Sequence, residues 1–364
     1  MRQKLAAFAL VIAVSVYGAL LMSDVFLWWQ ESGVRQTGDL YVRDAGRGYA
    51  MRPGFKGVVT TTQPFAVTTN AAGYRDGEWS AERPVRVLVA GDSFVFGEPL
   101  PLEDGIVRKT EACLGPDARA YNAGISGYGV PQVLATIRKE CPALRPRHVY
   151  YLYYLNDTSW DEMDPSSRTV VDGFVVQAVA ADRRTPLPDA ELEQRVKAAL
   201  AARRLGLGPT LALAHLGRFL DQRGIHPRRL WGGAMVPATP ATETGNADDY
   251  TEEASRAAAG MVTAMREAAA ACGGDFSMVV LPSLHEVTTG LEEPATRRLV
   301  GLLAGSGIDI VDLRQTIPRD RRLHLVRDRH FNGEGTAWVA ARLAEHFTRR
   351  HGSLPASPPR CAAQ

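Results

Sequence analysis

Five short apolar runs alternate along this chain with amphipathic helical patterns, and that alternation restricts the fold more than any other feature. The runs lie near residues 85–90, 118–122, 148–155, 276–281 and 308–312. Helical periodicity follows near 103–114, 131–141, 249–271, 295–304 and 336–349. A strand buried on both faces reads as a continuous apolar run, not an alternating one. Strands separated by helices pair in parallel, with the helices covering both faces. The expected fold class is therefore α/β: a flavodoxin-like, three-layer α/β/α arrangement over about residues 85–350, with a parallel sheet of about five strands. No internal repeat is present.

Open sheets of this kind place their sites at the carboxyl edge. The first run, Val87-Leu88-Val89-Ala90, stops at Gly91-Asp92-Ser93, which sets Ser93 at that edge. Asp and Ser are also good helix caps, so three residues alone do not make a nucleophile. The far end of the chain reads Arg327-Asp328-Arg329-His330-Phe331-Asn332-Gly333 before the last helix. A serine hydroxyl needs an adjacent base, and histidine suits that role near neutral pH. A carboxylate on the second ring nitrogen holds the tautomer and stabilises the imidazolium. Asp328 and His330 flank one residue, so both side chains can point the same way. Between these ends lie Asn122-Ala123-Gly124-Ile125-Ser126-Gly127 and Asn156-Asp157, each following a strand. A glycine N–H and an Asn amide can both donate to a developing oxyanion, each well-placed donor being worth about 3 kcal/mol. Taken singly, each element also reads as a turn.

In this order the four elements resemble the SGNH hydrolases, also called the GDSL esterase/lipase family, over roughly residues 83–351. The resemblance implies that Ser93 is the nucleophile, His330 its base and Asp328 the orienting carboxylate. It further implies that the Ser93 N–H, Gly127 and Asn156 form the oxyanion hole. The chain departs from the family pattern twice. Tyr154 stands where a glycine usually precedes the Asn by two residues. Arg327 stands where the Asp usually precedes the His by three; Asp320 and Asp312 are the alternative carboxylates. The two-residue spacing occurs among relatives that handle acetyl groups on exopolysaccharides. The implied activity is hydrolysis of short O-acyl esters, acetyl foremost, on an envelope or exported polysaccharide. Two alternatives stay open: an O-acetyltransferase using the same triad, and a non-catalytic glycan-binding or assembly protein. Asp92, Asp157, Trp160 and His285 are candidate substrate contacts; each also has a bland reading as turn, cap or packing residue.

Leu5 to Met22 is uncharged and mostly apolar, after Arg2 and Lys4. That length approaches a bilayer span, and the leading positive charge predicts the N-terminus inside and the remainder outside. Residues 1–30 are expected to form a membrane anchor, with a cleaved signal peptide as the competing reading. Either puts the globular part outside the cytoplasm.

A net charge of +2 over 364 residues leaves no electrostatic footprint for nucleic acid. Neither a phosphate-binding glycine loop nor a metal-spaced Cys/His cluster occurs, so no cofactor and no metal are expected. The four cysteines are permitted disulfides in an oxidising compartment. Helix placement favours Cys141–Cys272 and Cys113–Cys361, against buried free thiols. Residues 31–84 form a lead-in, in which Gly48–Gly54 and Thr69–Asp76 carry turn chemistry and 58–62 pairs with 65–69. An insertion near 159–246 holds a hairpin turning at Asp172-Gly173, helical stretches near 189–204 and 209–223, and a loop from Pro237 to Asn246. Trp160 and Trp231 within it could stack on sugar rings, and the insertion reads either as a cap over the site or as a peripheral packing element. The tail 351–364 reads as poorly ordered.

Overall fold

The computed structural model describes residues 8, 11, 12, 14–23, 40–60, 64–180, 183, 185–202, 250–318, 322–325 and 328–354. Its centre is a five-stranded sheet of β5 (Val85–Gly91), β6 (Ala118–Gly124), β7 (His148–Tyr153), β10 (Asp275–Val280) and β11 (Asp309–Asp312). The spatial order is β11-β10-β7-β5-β6, and every pairing is parallel. Counted along the chain this is 2-1-3-4-5, the flavodoxin-like order, whose direction reverses between its first and third strands. Residues such as Val87, Leu88, Val89, Tyr151 and Leu152 are wholly buried, as strands covered on both faces must be.

Helices α2 (Ile106–Leu114) and α9 (Gly333–His351) pack together on one face. On the other face α6 (Glu252–Ala271) packs against α3 (Val130–Leu144) and α8 (Pro294–Leu303). Each layer closes its own apolar core, one around Val87, Val107, Leu343 and Phe347, the other around Leu88, Ile137, Val262 and Met278. Observed boundaries differ from the periodicity by a few residues. Three helices were not legible, each too short to show a period: α1 (Ser93–Phe96), α4 (Trp160–Met163) and α7 (Leu284–Thr289), the last capped by Ser283.

The expected Cys141–Cys272 bridge is not formed; both thiols are free. The placement behind that expectation is right, since α3 and α6 bring the two side chains into contact. Burial, followed by the Cys272 contact, pushes the Cys141 thiol far up. A disulfide forms by attack of a thiolate, and burial disfavours that form at Cys141. Cys113 is disulfide-bonded; its expected partner Cys361 lies outside the described residues.

The lead-in folds as two hairpins. β3 (Lys56–Thr60) pairs antiparallel with β4 (Pro64–Thr68), within two residues of the expected strands. The other pairs β1 (Tyr41–Asp44) with β2 (Gly48–Met51), where a turn over Gly48–Gly54 was expected. The hairpin turn precedes that stretch, where Asp44 Oδ1 accepts from the Gly46 and Arg47 amides, and within the stretch the turn falls at Pro53-Gly54. Arg75 is buried and donates to the Ala66, Phe96, Gly97 and Leu100 carbonyls, and Asn70 is spent on its own loop. Both act in packing.

In the insertion, β8 (Arg168–Val171) and β9 (Phe174–Gln177) form the expected hairpin. Asp172 and Gly173 have φ of 50° and 79°, the left-handed pair that a two-residue turn requires. Helix α5 spans Asp189–Ala202; the stretch 209–223, Trp231 and the loop Pro237–Asn246 lie outside the described residues. Residues 14–23 are helical. No helix among the described residues is long and apolar enough to cross a membrane, and much of 1–30 lies outside them. The last helix ends at His351, and the tail beyond 354 is outside the described residues.

Candidate active site

Strand β5 runs directly into α1 (Ser93–Phe96), and the junction tolerates only glycine. A Cβ on Gly91 would come within 2.6 Å of Val95 Cγ2 and 2.8 Å of the Leu152 carbonyl on β7. Asp92 caps α1, its Oδ1 accepting from the Phe94 amide at 3.0 Å. The cap reading of Gly-Asp-Ser is thus correct, and it coexists with a second role for the serine. Ser93 Oγ lies 2.7 Å from His330 Nε2, and His330 Nδ1 is bonded to Asp328 Oδ1. An ionised carboxylate only accepts, so the proton sits on Nδ1 and the Nε2 lone pair faces the serine hydroxyl. Burial pulls the His330 pKa down, but the Asp328 bond and the charges of Glu98, Asp328 and Asp92 outweigh it, leaving it raised above 6.5.

The two-residue spacing works because Arg329 adopts φ 67°. A left-handed non-glycine residue costs about 1–2 kcal/mol, and here it turns the chain so that its two neighbours face one another. The turn is pinned on both sides. Leu325 N donates to His330 O at 2.7 Å, Arg329 N to Leu325 O at 2.9 Å, and Asn332 N to Leu323 O at 2.9 Å. Asn332 then caps α9 through the Glu334 and Gly335 amides. Of the alternative carboxylates, Asp312 is engaged by Arg314, and Asp320 lies outside the described residues.

Gly127 has φ 76°. The peptide carrying its N–H is held by Tyr49 of the lead-in, whose hydroxyl donates to Ser126 O at 2.9 Å. Arg168 Nη1 donates to Gly127 O at 2.7 Å. Asn156 follows β7 in a 3-10 turn. Its Nδ2 donates to Glu162 Oε1 and Oε2 at 3.0 and 2.8 Å, with Asp92 Oδ2 at 3.4 Å. Burial pushes Glu162 up to about 8, and the neighbouring Arg168 only partly offsets it.

A cavity of about 240 Å³ opens over this centre. Ser93, Asn156, Asp328 and His330 line it, together with Phe94, Tyr154, Leu155, Tyr250 and Arg329; Gly127 lies outside the lining. Tyr154, one of the two departures from the family pattern, forms part of the wall, its ring 4.2 Å from that of Phe94. Phe94 in turn lies 4.8 Å from the His330 ring.

The four candidate substrate contacts fall elsewhere. Asp92 is wholly buried and spent on the α1 cap and its Ser93 and Asn156 neighbours. Asp157 points into the core and accepts from the Tyr151 hydroxyl at 2.7 Å, so it cannot reach a ligand. Trp160 begins a short helix and lies beneath the Arg183 guanidinium, 4.8 Å from ring centre. His285 is buried in α7 against Thr289. None of the four lines the cavity. Sequence reasoning missed Glu162 and Arg168, whose polar stretch reads as a solvated surface, and Tyr250, which closes the far end of the insertion.

A larger groove of about 710 Å³ runs between α3 and α6 and shares no residue with this centre. Among the described residues, His148, Asp275 and His351 bring potential metal ligands together. They satisfy one another instead: His148 Nδ1 meets His351 Nε2 at 2.9 Å, and Asp275 Oδ2 accepts from Arg350 Nε at 3.0 Å.

No family model and no curated relative matches the chain. Among solved structures it is similar to a lipase/acylhydrolase from Enterococcus faecalis, with 12% identity, 75% of this chain and 100% of that chain covered, and a TM-score of 0.40. A member of the lipolytic G-D-S-L family from Veillonella parvula gives 14%, 73%, 99% and 0.38 in the same order. A carbohydrate acetylesterase family member from Sinorhizobium meliloti gives 14%, 74%, 100% and 0.35.

Proposed function

We propose that the protein is a serine esterase of the SGNH type that cleaves short O-acyl esters through an acyl-Ser93 intermediate. The observation that carries this reading is the hydrogen-bonded chain Ser93–His330–Asp328, with 2.7 Å between hydroxyl and imidazole. That distance is within reach for proton abstraction. His330 Nε2 takes the Ser93 proton as Oγ bonds to the ester carbonyl carbon, and the carbonyl electron pair moves onto oxygen. The Ser93 N–H, the Gly127 N–H and the Asn156 amide stabilise that oxyanion. Collapse expels the alcohol oxygen, which leaves with the proton from His330. Water then repeats the sequence on the acyl-enzyme, and the carboxylic acid departs. Asp328 holds the imidazole in its tautomer throughout.

The small cavity, walled by Phe94, Tyr154 and Tyr250, favours a short acyl group, acetyl first. The apolar N-terminal run supports an anchored, extracytoplasmic enzyme acting on an exported polysaccharide. The test is turnover of a chromogenic acetyl ester by the full chain, together with labelling by a serine-directed phosphonate. Wild type should turn over and carry the adduct on Ser93, and Ser93→Ala should lose on the order of 10⁴-fold or more. Equal rates for the two proteins, with no adduct on Ser93, would sink the proposal.

A further inference from the structure

We propose that Glu162, backed by Arg168, is the positioning residue of the oxyanion hole: it fixes which end of the Asn156 carboxamide faces the reacting carbonyl. The inference rests on the esterase reading and adds a residue to it. A carboxamide rotates in a broad, two-fold well. Half a turn replaces its two donors by an acceptor, and an acceptor there would repel the developing oxyanion. Something must therefore select the orientation, and the backbone of the 3-10 turn does not reach the amide.

The selecting groups are two carboxyls on either side of the nitrogen. Both Glu162 oxygens lie at 3.0 Å or less from Asn156 Nδ2, and Asp92 Oδ2 lies at 3.4 Å. Turned over, the amide would give up the two short contacts that its nitrogen makes with Glu162 and set its oxygen beside both carboxyls. As it stands, Asn156 Oδ1 is buried without a partner among the described residues, so no bond on that side competes with the grip on nitrogen. One amide hydrogen serves Glu162, and the long 3.4 Å contact with Asp92 leaves the second for the oxyanion; Asp92 Oδ2 itself neighbours Ser93 Oγ at 3.4 Å. The Glu162 contact is the closer one and comes from outside the sheet.

Arg168 completes the brace. Its Nη2 donates to Asp161 Oδ2 at 2.6 Å and reaches Glu162 Oε1 at 3.5 Å, while Nη1 donates to Gly127 O at 2.7 Å. Asn156 at the end of β7 and Gly127 after β6 are thereby joined by one chain of contacts, Asn156–Glu162–Arg168–Gly127. Glu162 and Arg168 touch neither nucleophile nor base and do not line the cavity; they act through the groups they hold.

The experiment is a double-mutant cycle on the full chain with the chromogenic acetyl ester. Glu162→Ala should lower kcat by about 10- to 100-fold with KM changed less than threefold, because the interaction lost is made in the transition state. In an Asn156→Ala background the same change should cost less than twofold, since the group it positions is gone. Glu162→Gln keeps the reach but adds a donor that can pair with either end of the carboxamide, so its kcat should fall between those of Glu162→Ala and wild type. Equal losses from Glu162→Ala in both backgrounds, or an unchanged kcat, would overturn the inference while leaving the esterase reading intact. If Glu162→Ala does not fold, Glu162→Asp, which withdraws the carboxylate by one methylene, enters the same cycle under the same criteria. A wild type inert towards both ester and phosphonate overturns the esterase reading and this inference with it.

Discussion

His330 illustrates how a single residue's environment sets what it can do. Its imidazole is half-buried, which alone favours the neutral base, yet Asp328 and the surrounding carboxylates hold its pKa above the usual 6.5. Neutral imidazole is the form that accepts the serine proton, so the rising limb of kcat/KM against pH should lie above 6.5. Asp328→Asn removes the largest raising influence and leaves burial in force. The limb should move to lower pH while the rate on the plateau falls on the order of 10⁴-fold; a pH–rate profile of the variant checks both. Ser93 and His330 were legible because each stands at a recognisable break: an apolar run that stops, and an Asp-x-His before a helix. Arg329 was not, since nothing in an arginine announces φ 67°, and the spacing could only be judged once that turn was seen. Glu162 and Arg168 were hidden for another reason. Their partners lie at strand ends far away in sequence, and locally they look like any solvated charges.

At the scale of elements, the sheet and the long helices followed directly from hydrophobic period, because burial on one or both faces leaves a pattern that short segments lack. β1, β2 and α7 have four to six residues each, too few for a period, and they are set by local caps and by tertiary contacts. Helix α9 makes this concrete. Its first turn is closed by Asn332 Oδ1, which accepts from Glu334 N at 3.0 Å and Gly335 N at 2.8 Å. Asn332→Ala should destabilise the protein by about 1 kcal/mol, read from a shifted midpoint in urea. Because Asn332 is two residues from His330, activity at low denaturant should fall more steeply than the global unfolding signal.

For the whole molecule, the cysteines report on how the layers are tied. Cys113 leaves α2 in a disulfide, whereas Cys141 and Cys272 meet as thiols between α3 and α6. Denatured, unreduced protein should therefore label at two cysteines and reduced protein at all four, counted by mass after alkylation. The same two-layer logic made the helix pairs predictable and the oxidation state not: topology says which side chains meet, not whether they bond.

Tyr49 carries a consequence for how this protein can be divided. Its hydroxyl holds Ser126 O at 2.9 Å, and with it the amide of Gly127, although Tyr49 belongs to a hairpin that precedes the sheet by more than thirty residues. A graft of residues 85–350 onto another protein would transfer Ser93, His330 and the sheet that carries them. It would leave behind the hand that steadies one donor. The unit that travels intact begins at the first hairpin.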